Sequence, residues 1–556
     1  MKNRNAGFTT IFFALSCFAL LPKAATAPQT VLPGFNTADG DHALFSITTG
    51  IANTAVGWFS LQSNTDGSFN TAVGAGTLLF NVGDQSTGEG TENTAIGTAA
   101  LLFNTSGAGN TAVGAAALLN TTIGGANTAT GASALSSNTT GSSNTATGSD
   151  ALFSNTTGQQ NTATGNGALE NNTTGDGNTA TGSLALESNT TGRFNTASGG
   201  SALRNNTTGN DNTANGVNAL ENNTQGSSNT ATGVSALFAN ITGNDNTAFG
   251  RDALVNNTEG NFNAAVGRNA LSSNTTGDGN TATGRDALGL NTEGDSNTAN
   301  GLSALLANTT GNNNTANGAD ALRRNTTGGF NTANGNSALG FNTTGGQNTA
   351  LGFNAGTGVT TANNVICIGA NVSGFDVSNS CFIGNIFAAP IGTDAVPVSI
   401  DSTGKLGTMT SSRRFKTKIK PMDKASDAIL ALKPVTFHYR TDNTNTPQFG
   451  LIAEQVVEVD RDLVVHDKNG ELLTVRYDAV NAMLLNEFLK EHRKNEQREE
   501  TITRLKFSVA KEQAIAARQQ EEIKALAGQL KEQAAQIQRV RAQVQLNKPW
   551  PQTVSE

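Results

Sequence analysis

Over most of the chain the apolar positions are sparse and strictly spaced. From Asn36 onward, two Ala and one Leu recur with a period of seventeen, embedded in Asn, Thr and Gly. The stretch NTATGSDALFSNTTGQQ opens at Asn144, and further copies open at Asn161, Asn178, Asn195 and Asn212. This series runs unbroken from Asn93 to Asn348, and three earlier copies open at Asn36, Asn53 and Asn70, which makes nineteen. A six-residue insertion around GDQSTGEG accounts for the single step of 23, from Asn70 to Asn93. The unit reads N-T-A-x-G-x-x-A-L-x-x-N-T-T-G-x-x. It is too short and too Gly-rich for a pair of helices. NTAxG and ALxxN read as short extended segments, and NTTG and Gxx as turns whose residues tolerate positive φ. The pattern predicts one coil of a parallel β-solenoid per repeat, with identical residues stacked about 4.8 Å apart. Asn and Thr would form hydrogen-bonded ladders, and Ala and Leu an apolar column. Nineteen such coils would make a rod of about 90 Å.

Two Ala and one Leu per coil is a thin core against an ordering cost of about 1–2 kcal/mol per residue. Three chains packing their Leu columns together would supply the missing burial, so a homotrimer is expected. In small-residue and turn usage the repeats are similar in character to the head repeats of trimeric autotransporter adhesins, with a longer period here. The shaft is read as residues 28–352. Residues 353–410 break the period with more β-branched stretches, NNVICIGANVSGFDVSNSCFIGNI and then AAPIGTDAVPVSIDSTGKLGTM, and read as a β-rich neck.

A different pattern begins at Ser411. VTFHYR reads as a strand, FGLIAEQVVEVDRDLVV as a turn, a short helix and a strand, and KNGELLTVRYDAVNAMLLNEFLKEH as a turn, a strand and a helix. This is a small α+β domain over residues 411–492. From Ile502 to Val544 the seam positions alternate by three and four: Ile502, Leu505, Val509, Glu512, Ala516, Gln519, Ile523, Leu526, Leu530, Gln533, Ile537, Val540 and Val544. That heptad predicts a coiled coil over 493–546, with Leu484 and Phe488 continuing the register backward. The mixed seam leaves the strand number open. Residues 547–556 form a tail.

Composition narrows the functional classes. Charged residues make up 14% of the 556, aromatics 5%, and Gly reaches 63, which is unlike an ordinary enzyme over most of the length. The net charge of −8 gives no reason to expect nucleic acid as a partner. Lys2 and Arg4, an apolar run GFTTIFFALSCFALL and a small-residue ATA ending at Ala27 read as a signal peptide over 1–27. The protein is therefore expected to be secreted or on a cell surface, where a glycan or another surface ligand is open as a partner. Cys367 and Cys381, fourteen residues apart, fit either a disulfide or two buried small hydrophobes. The four histidines are scattered, no metal-ligand spacing appears, and no cofactor is expected. The recurring NTT reads as a structural ladder rather than a series of glycosylation sites, and GDGN and GNDN as solvated turns rather than calcium loops. Glu170, Asp176 and Glu187 fall at non-repeating loop positions, and no carboxylate pair stands out for glycan cleavage.

The cluster SSRRFKTKI, residues 411–419, holds the candidate chemistry. Alone it would read as a solvated basic turn. The ordered blocks SSRRFK, LKPVTFHYR, FGLIAEQV and VVHDKNGELLTVRYDAVNAMLLNEFLKE resemble the endosialidase-type intramolecular chaperone domain of phage tail spikes and bacterial surface fibres. The resemblance implies a domain that helps three chains register and then removes itself by serine autoproteolysis. Carried over, it implies Ser411 as nucleophile, Thr410–Ser411 as the scissile bond and Lys416 as the catalytic partner. The family pattern Ser-Asp-Arg-Arg-Leu-Lys is altered at two places, with Ser412 for Asp and Phe415 for Leu. A lysine serves as base only when neutral, and adjacent positive charge favours that form; Arg413, Arg414 and Lys418 supply it. The reading is a mainly β, trimeric fibre: β-solenoid shaft, neck, self-cleaving chaperone domain and coiled coil. The alternatives are a purely structural or adhesive fibre with an uncleaved C-terminal domain and, behind it, a glycan-degrading spike.

Overall fold

The structure, a computed structural model, describes residues 34–387, 389, 395–401, 403–440, 442–467 and 469–546. The signal peptide expected over 1–27 and the tail at 547–556 lie outside the described residues. The chain divides into two units, one ending at Ala389 and one beginning at Pro390.

The first unit is a parallel β-solenoid. Each of the nineteen repeats contributes one three-residue strand, from β1 (Thr37–Asp39) to β19 (Thr349–Leu351). Successive strands pair in parallel with like on like: Thr145 lies opposite Thr162, Ala146 opposite Ala163 and Thr147 opposite Thr164. Two further coils continue the ladder beyond residue 352, with β20 (Ile366–Ile368) and β21 (Cys381–Ile383). The solenoid thus takes in the first part of the segment read as a neck. Cys367 is buried and pairs with Phe382, whereas Cys381 is exposed and pairs with Ile366. The period-two alternation of a strand puts the two thiols on opposite faces, and both are free.

The segment ALxxN is not extended, contrary to the sequence reading. Leu152 has φ 53° and Asp150 φ 58°, and the same alternation recurs at Leu220 and Asn218. Alternating the sign of φ turns successive N–H groups in opposite directions. Asp150 N donates to Ala132 O in the preceding coil at 3.0 Å, and Leu152 N to Ala168 O in the following coil at 2.9 Å. Both neighbours are bonded without a pleated strand. The same twist carries each Leu inward, where it is fully buried between Ala columns such as Ala146 and Ala151. A left-handed Leu costs about 1–2 kcal/mol, and its burial contributes about 1.5–3 kcal/mol. The Leu column therefore closes inside one chain and is not available to two others. The homotrimer expected from shared Leu columns loses that argument.

Two buried Asn columns complete the core. Asn161 Nδ2 donates to Gly175 O at 2.8 Å, and its backbone N donates to Asn144 Oδ1 at 3.0 Å. Asn155 Nδ2 donates to Asn138 Oδ1 at 2.8 Å and to Gly158 O at 3.0 Å. Outside them, Thr156 Oγ1 donates to Thr173 O at 3.0 Å. The insertion loops out between Asp84 and Glu89, joined by a 2.8 Å backbone bond, and the register resumes with Thr71 opposite Thr94. At the far end Asp376 terminates a ladder. Its Oδ1 accepts the N–H groups of Thr360, Thr361 and Ala362 at 2.7–2.8 Å, where other coils use a Thr carbonyl. The Thr360 hydroxyl, with those backbone N–H groups, holds its carboxyl far below the usual carboxylate range.

The second Asn column has one flaw. Thr121 stands where neighbouring coils have Asn, and Asn104 Oδ1 and Thr121 Oγ1 are buried without a partner. Each such atom costs about 1–3 kcal/mol. Thr121→Asn would link Asn104 to Asn138 and donate to Gly124 O. We expect it to raise stability by about 1–2 kcal/mol, read as a higher denaturant midpoint at unchanged slope. An unchanged or lower midpoint would count against the ladder as a stabilising column.

The second unit begins with an exposed hairpin, β22 (Val398–Ile400) and β23 (Leu406–Thr408). Two more hairpins follow, β24 (Val435–Phe437) with β25 (Gln448–Gly450), and β26 (Val464–His466) with β27 (Leu472–Val475). Helix α1 spans Ala453–Val459 and helix α2 spans Tyr477–Leu546, 70 residues. Val456, Leu463, Val464, Val475 and Met483 form the core, with Met422, Ile429 and Leu432 packed against it. A 3-10 run over Asp423–Ala431 is pinned to α2 by polar contacts. Buried Ser426 donates to Glu487, and Asn486 Nδ2 donates to the Ser426 hydroxyl at 2.7 Å. Lys490 bridges Asp427 at 2.7 Å and Glu487 at 2.6 Å. From Glu491 to Leu546 every residue of α2 is exposed, including the seam Ile502, Leu505, Val509, Ile523, Leu526 and Leu530. Among the described residues no helix is long and apolar enough to cross a membrane.

Candidate active site

Five residues after the last strand of its hairpin, the chain makes one tight turn. A short 3-10 element covers Arg413–Phe415, closed by Phe415 N to Ser412 O at 3.0 Å and Lys416 N to Arg413 O at 3.1 Å. Such a turn is more compact than an extended chain, so the long Lys416 side chain can span the five-residue separation. Lys416 Nζ thereby reaches Ser411 Oγ at 3.2 Å and donates to it. The nucleophile and base expected from sequence are in hydrogen-bond contact, and Thr410, the residue on the acyl side of the candidate bond, adjoins them. Lys416 leaves the turn in extended conformation, and Lys418 at φ 53° bends the chain again.

Residues 403–420 are exposed throughout. Arg413, Arg414, Lys418 and Lys420 make no ion pair among the described residues. Arg414 lies over the Phe415 ring, 4.6 Å from its centroid. That gives Phe415, where the family pattern has Leu, a local partner for its ring. Ser412 sits at the N-cap of the turn with φ −63° and ψ 141°, and its side chain makes no capping bond. Serine caps about as well as aspartate, and here the cap is unmade.

The pair can supply acyl chemistry: a hydroxyl, an amine within reach of its proton, and an adjacent peptide carbonyl. Among the described residues no group of His, Cys, Asp and Glu is arranged to hold a metal ion. Sequence reasoning did not anticipate the buried Ser426 cluster, whose members are 60 to 64 residues apart. Its one local signal is the spacing of Glu487 and Lys490, one helical turn apart.

Searches of curated proteins and of solved structures returned no match to the chain. The family model described as chaperone of endosialidase matches residues 411–465. The matched stretch opens on Ser411, takes in the turn, β24, β25 and α1, and ends in β26. The chain thus joins a β-solenoid to a segment that matches the chaperone of endosialidase family.

Proposed function

We propose that the protein is an exported homotrimeric fibre. Its C-terminal domain holds three chains in register during assembly and then cuts itself off at Thr410–Ser411. The observation that carries the reading is the 3.2 Å contact of Lys416 Nζ with Ser411 Oγ at the first residue of the family match. The exposed apolar seam of α2 supports self-association. Near-identical coils make slipped registers cheap, so a terminal clamp has a physical purpose.

In the proposed reaction neutral Lys416 takes the Ser411 hydroxyl proton, and Oγ attacks the Thr410 carbonyl carbon. The Thr410–Ser411 C–N bond breaks as the Ser411 amine takes the proton back from Lys416. An ester remains between Thr410 and Ser411 Oγ. Water hydrolyses it, leaving a Thr410 carboxylate and a free Ser411 hydroxyl. The released piece has 146 residues and carries α2 with it.

The full chain and its Ser411→Ala variant, compared under denaturing conditions, test this. The wild type is expected to yield the 146-residue fragment and the variant to stay intact. Intact chains from both would sink self-cleavage and leave a structural or adhesive fibre with a permanent C-terminal domain. Crosslinking of the fragment checks the trimer; a monomer or dimer ladder would count against it.

A further inference from the structure

From β6 (Thr128–Thr130) to β9 (Thr179–Thr181) every strand reads Thr-Ala-Thr, with the Ala buried and both Thr exposed. Two rows of threonine therefore run up one face of the shaft. They are in register, Thr on Thr in both rows. Neighbouring rungs are about 4.8 Å apart and the two rows about 6.6–6.8 Å apart, twice the rise of a strand residue. The backbone ladder holds this grid, so its spacing does not depend on side-chain packing. Three further strands, to β12 (Thr230–Thr232), extend it with Ser198, Asn215 and Thr232 in the second row. On the other side, β2 (Thr54–Val56) to β5 (Thr111–Val113) keep the first-row Thr and place Val or Ile in the second.

Beta-branched residues suit exposed strand positions, and that alone accounts for many of these threonines. Two features go further. Solvent-facing surfaces ordinarily intersperse both signs of charge, yet from Thr54 to Thr232 neither row holds a charged residue. The same coils carry Asp150, Glu170, Asp176 and Glu187 outside the strands. The hydroxyls also differ from those of the turns. Thr139, Thr156, Thr173 and Thr190 each donate to a carbonyl of the next coil at 2.9–3.0 Å. Among the described residues, the Thr hydroxyls of β6 to β9 have no partner in the protein. The fold does not use them, and they are presented to whatever meets the face.

We propose that this face binds ice. The oxygen lattice on the prism face of hexagonal ice repeats within about a tenth of both grid spacings. Water bonded to the hydroxyls is held near lattice sites, and a crystal meets many such sites at once. Each contact is weak, and their number gives lasting attachment. Other ligands fit less well. A dry protein surface would leave the hydroxyls without hydrogen bonds. A charged polymer finds no counter-charge in either row, and no aromatic ring stands there before Phe249 to stack a sugar. The inference depends on neither trimerisation nor self-cleavage.

The test is slow growth of ice in a dilute solution of the full chain, with protein measured in the ice and in the remaining liquid. Two double variants are compared with the wild type. Thr147→Lys with Thr164→Lys puts charge into the grid. Thr157→Lys with Thr174→Lys makes the same exchange on the same two coils, outside the strands, and all four positions are exposed. The wild type and the second variant are expected to concentrate in the ice, and the grid variant about tenfold less. All three are expected to melt at the same temperature. Exclusion of the wild type from ice would overturn the proposal, as would equal capture of the grid variant. Capture by suspended crystalline cellulose in place of ice would overturn it too. So would a lower melting temperature in the grid variant alone, which would make the threonines packing groups.

Discussion

Lys416→Met is expected to slow release of the C-terminal fragment by about 10²–10⁴-fold, the usual contribution of a positioned general base. Methionine keeps most of the side-chain stem but cannot take the Ser411 proton. Lys416 is the amine in contact with Ser411 Oγ, at 3.2 Å, and the exposed turn places no described acid or histidine in hydrogen-bond contact with that oxygen. Ser412→Asp is expected to act the other way. The Ser412 side chain leaves the 3-10 turn uncapped; serine and aspartate cap about equally well, but a negative charge at the start of the turn adds about 0.3–1 kcal/mol. If that energy holds the turn that brings Ser411 to Lys416, cleavage accelerates several-fold, since each 1.36 kcal/mol is about tenfold in rate. A time course of fragment release after synthesis, resolved under denaturing conditions, reads both effects. Equal rates for Lys416→Met and wild type would remove Lys416 from the mechanism even if Ser411→Ala remains intact. That separates the identity of the base from the existence of the reaction.

The solenoid was legible because its period is written in residues with one structural use. Asn161 bonds its own coil and the one before, Gly165 at φ 136° can be nothing else, and Ala163 fits only a narrow core. What the period could not show was the side of the coil on which Leu falls. That depends on the sign of φ at Asp150 and Leu152, residue types that do not announce left-handed backbone. The trimer argument built on a shared Leu column failed for that reason. The first extra coil was hidden by composition, since Ile366–Ile368 keeps the seventeen-residue step while replacing Thr and Ala by Ile and Cys; the second also breaks the step, since Cys381 pairs with Ile366 fifteen residues before it. The Ser411–Lys416 pair came from the family resemblance, since SSRRFK alone reads as a solvated basic turn; the contact itself is a local relation, five residues across a tight turn. The Ser426–Glu487 contact spans 61 residues, and no local pattern marks it.

Gly216→Ala is expected to break the shaft locally, at a cost of about 4 kcal/mol or more, in the range reserved for severe mechanisms. Gly216 has φ 141°, a region essentially closed to residues with a Cβ, and a Cβ there would lie 2.5 Å from Gly233 O and 2.7 Å from its carbonyl carbon. Those atoms belong to the backbone of the next coil. They cannot retreat without opening a ladder whose rungs are about 4.8 Å apart. The preceding coil is caught as well, because Gly199 meets Gly216 O at the same distance. Gly200→Ala is the matched control. It lies one coil away, a Cβ there meets no heavy atom within 4 Å, and its φ is not in the left-handed region. It is expected to be neutral or to stabilise by up to about 1 kcal/mol. In a solenoid each coil rests on its two neighbours alone, so a single bad coil divides one cooperative ladder into two shorter ones. Gly216→Ala should therefore give two melting steps and a protease cut near residue 216. Gly200→Ala should give one step and no cut. Indistinguishable melts for the two variants would mean that the coils do not stack through this glycine column. The continuous ladder from β1 to β21 would then not be what holds the shaft together.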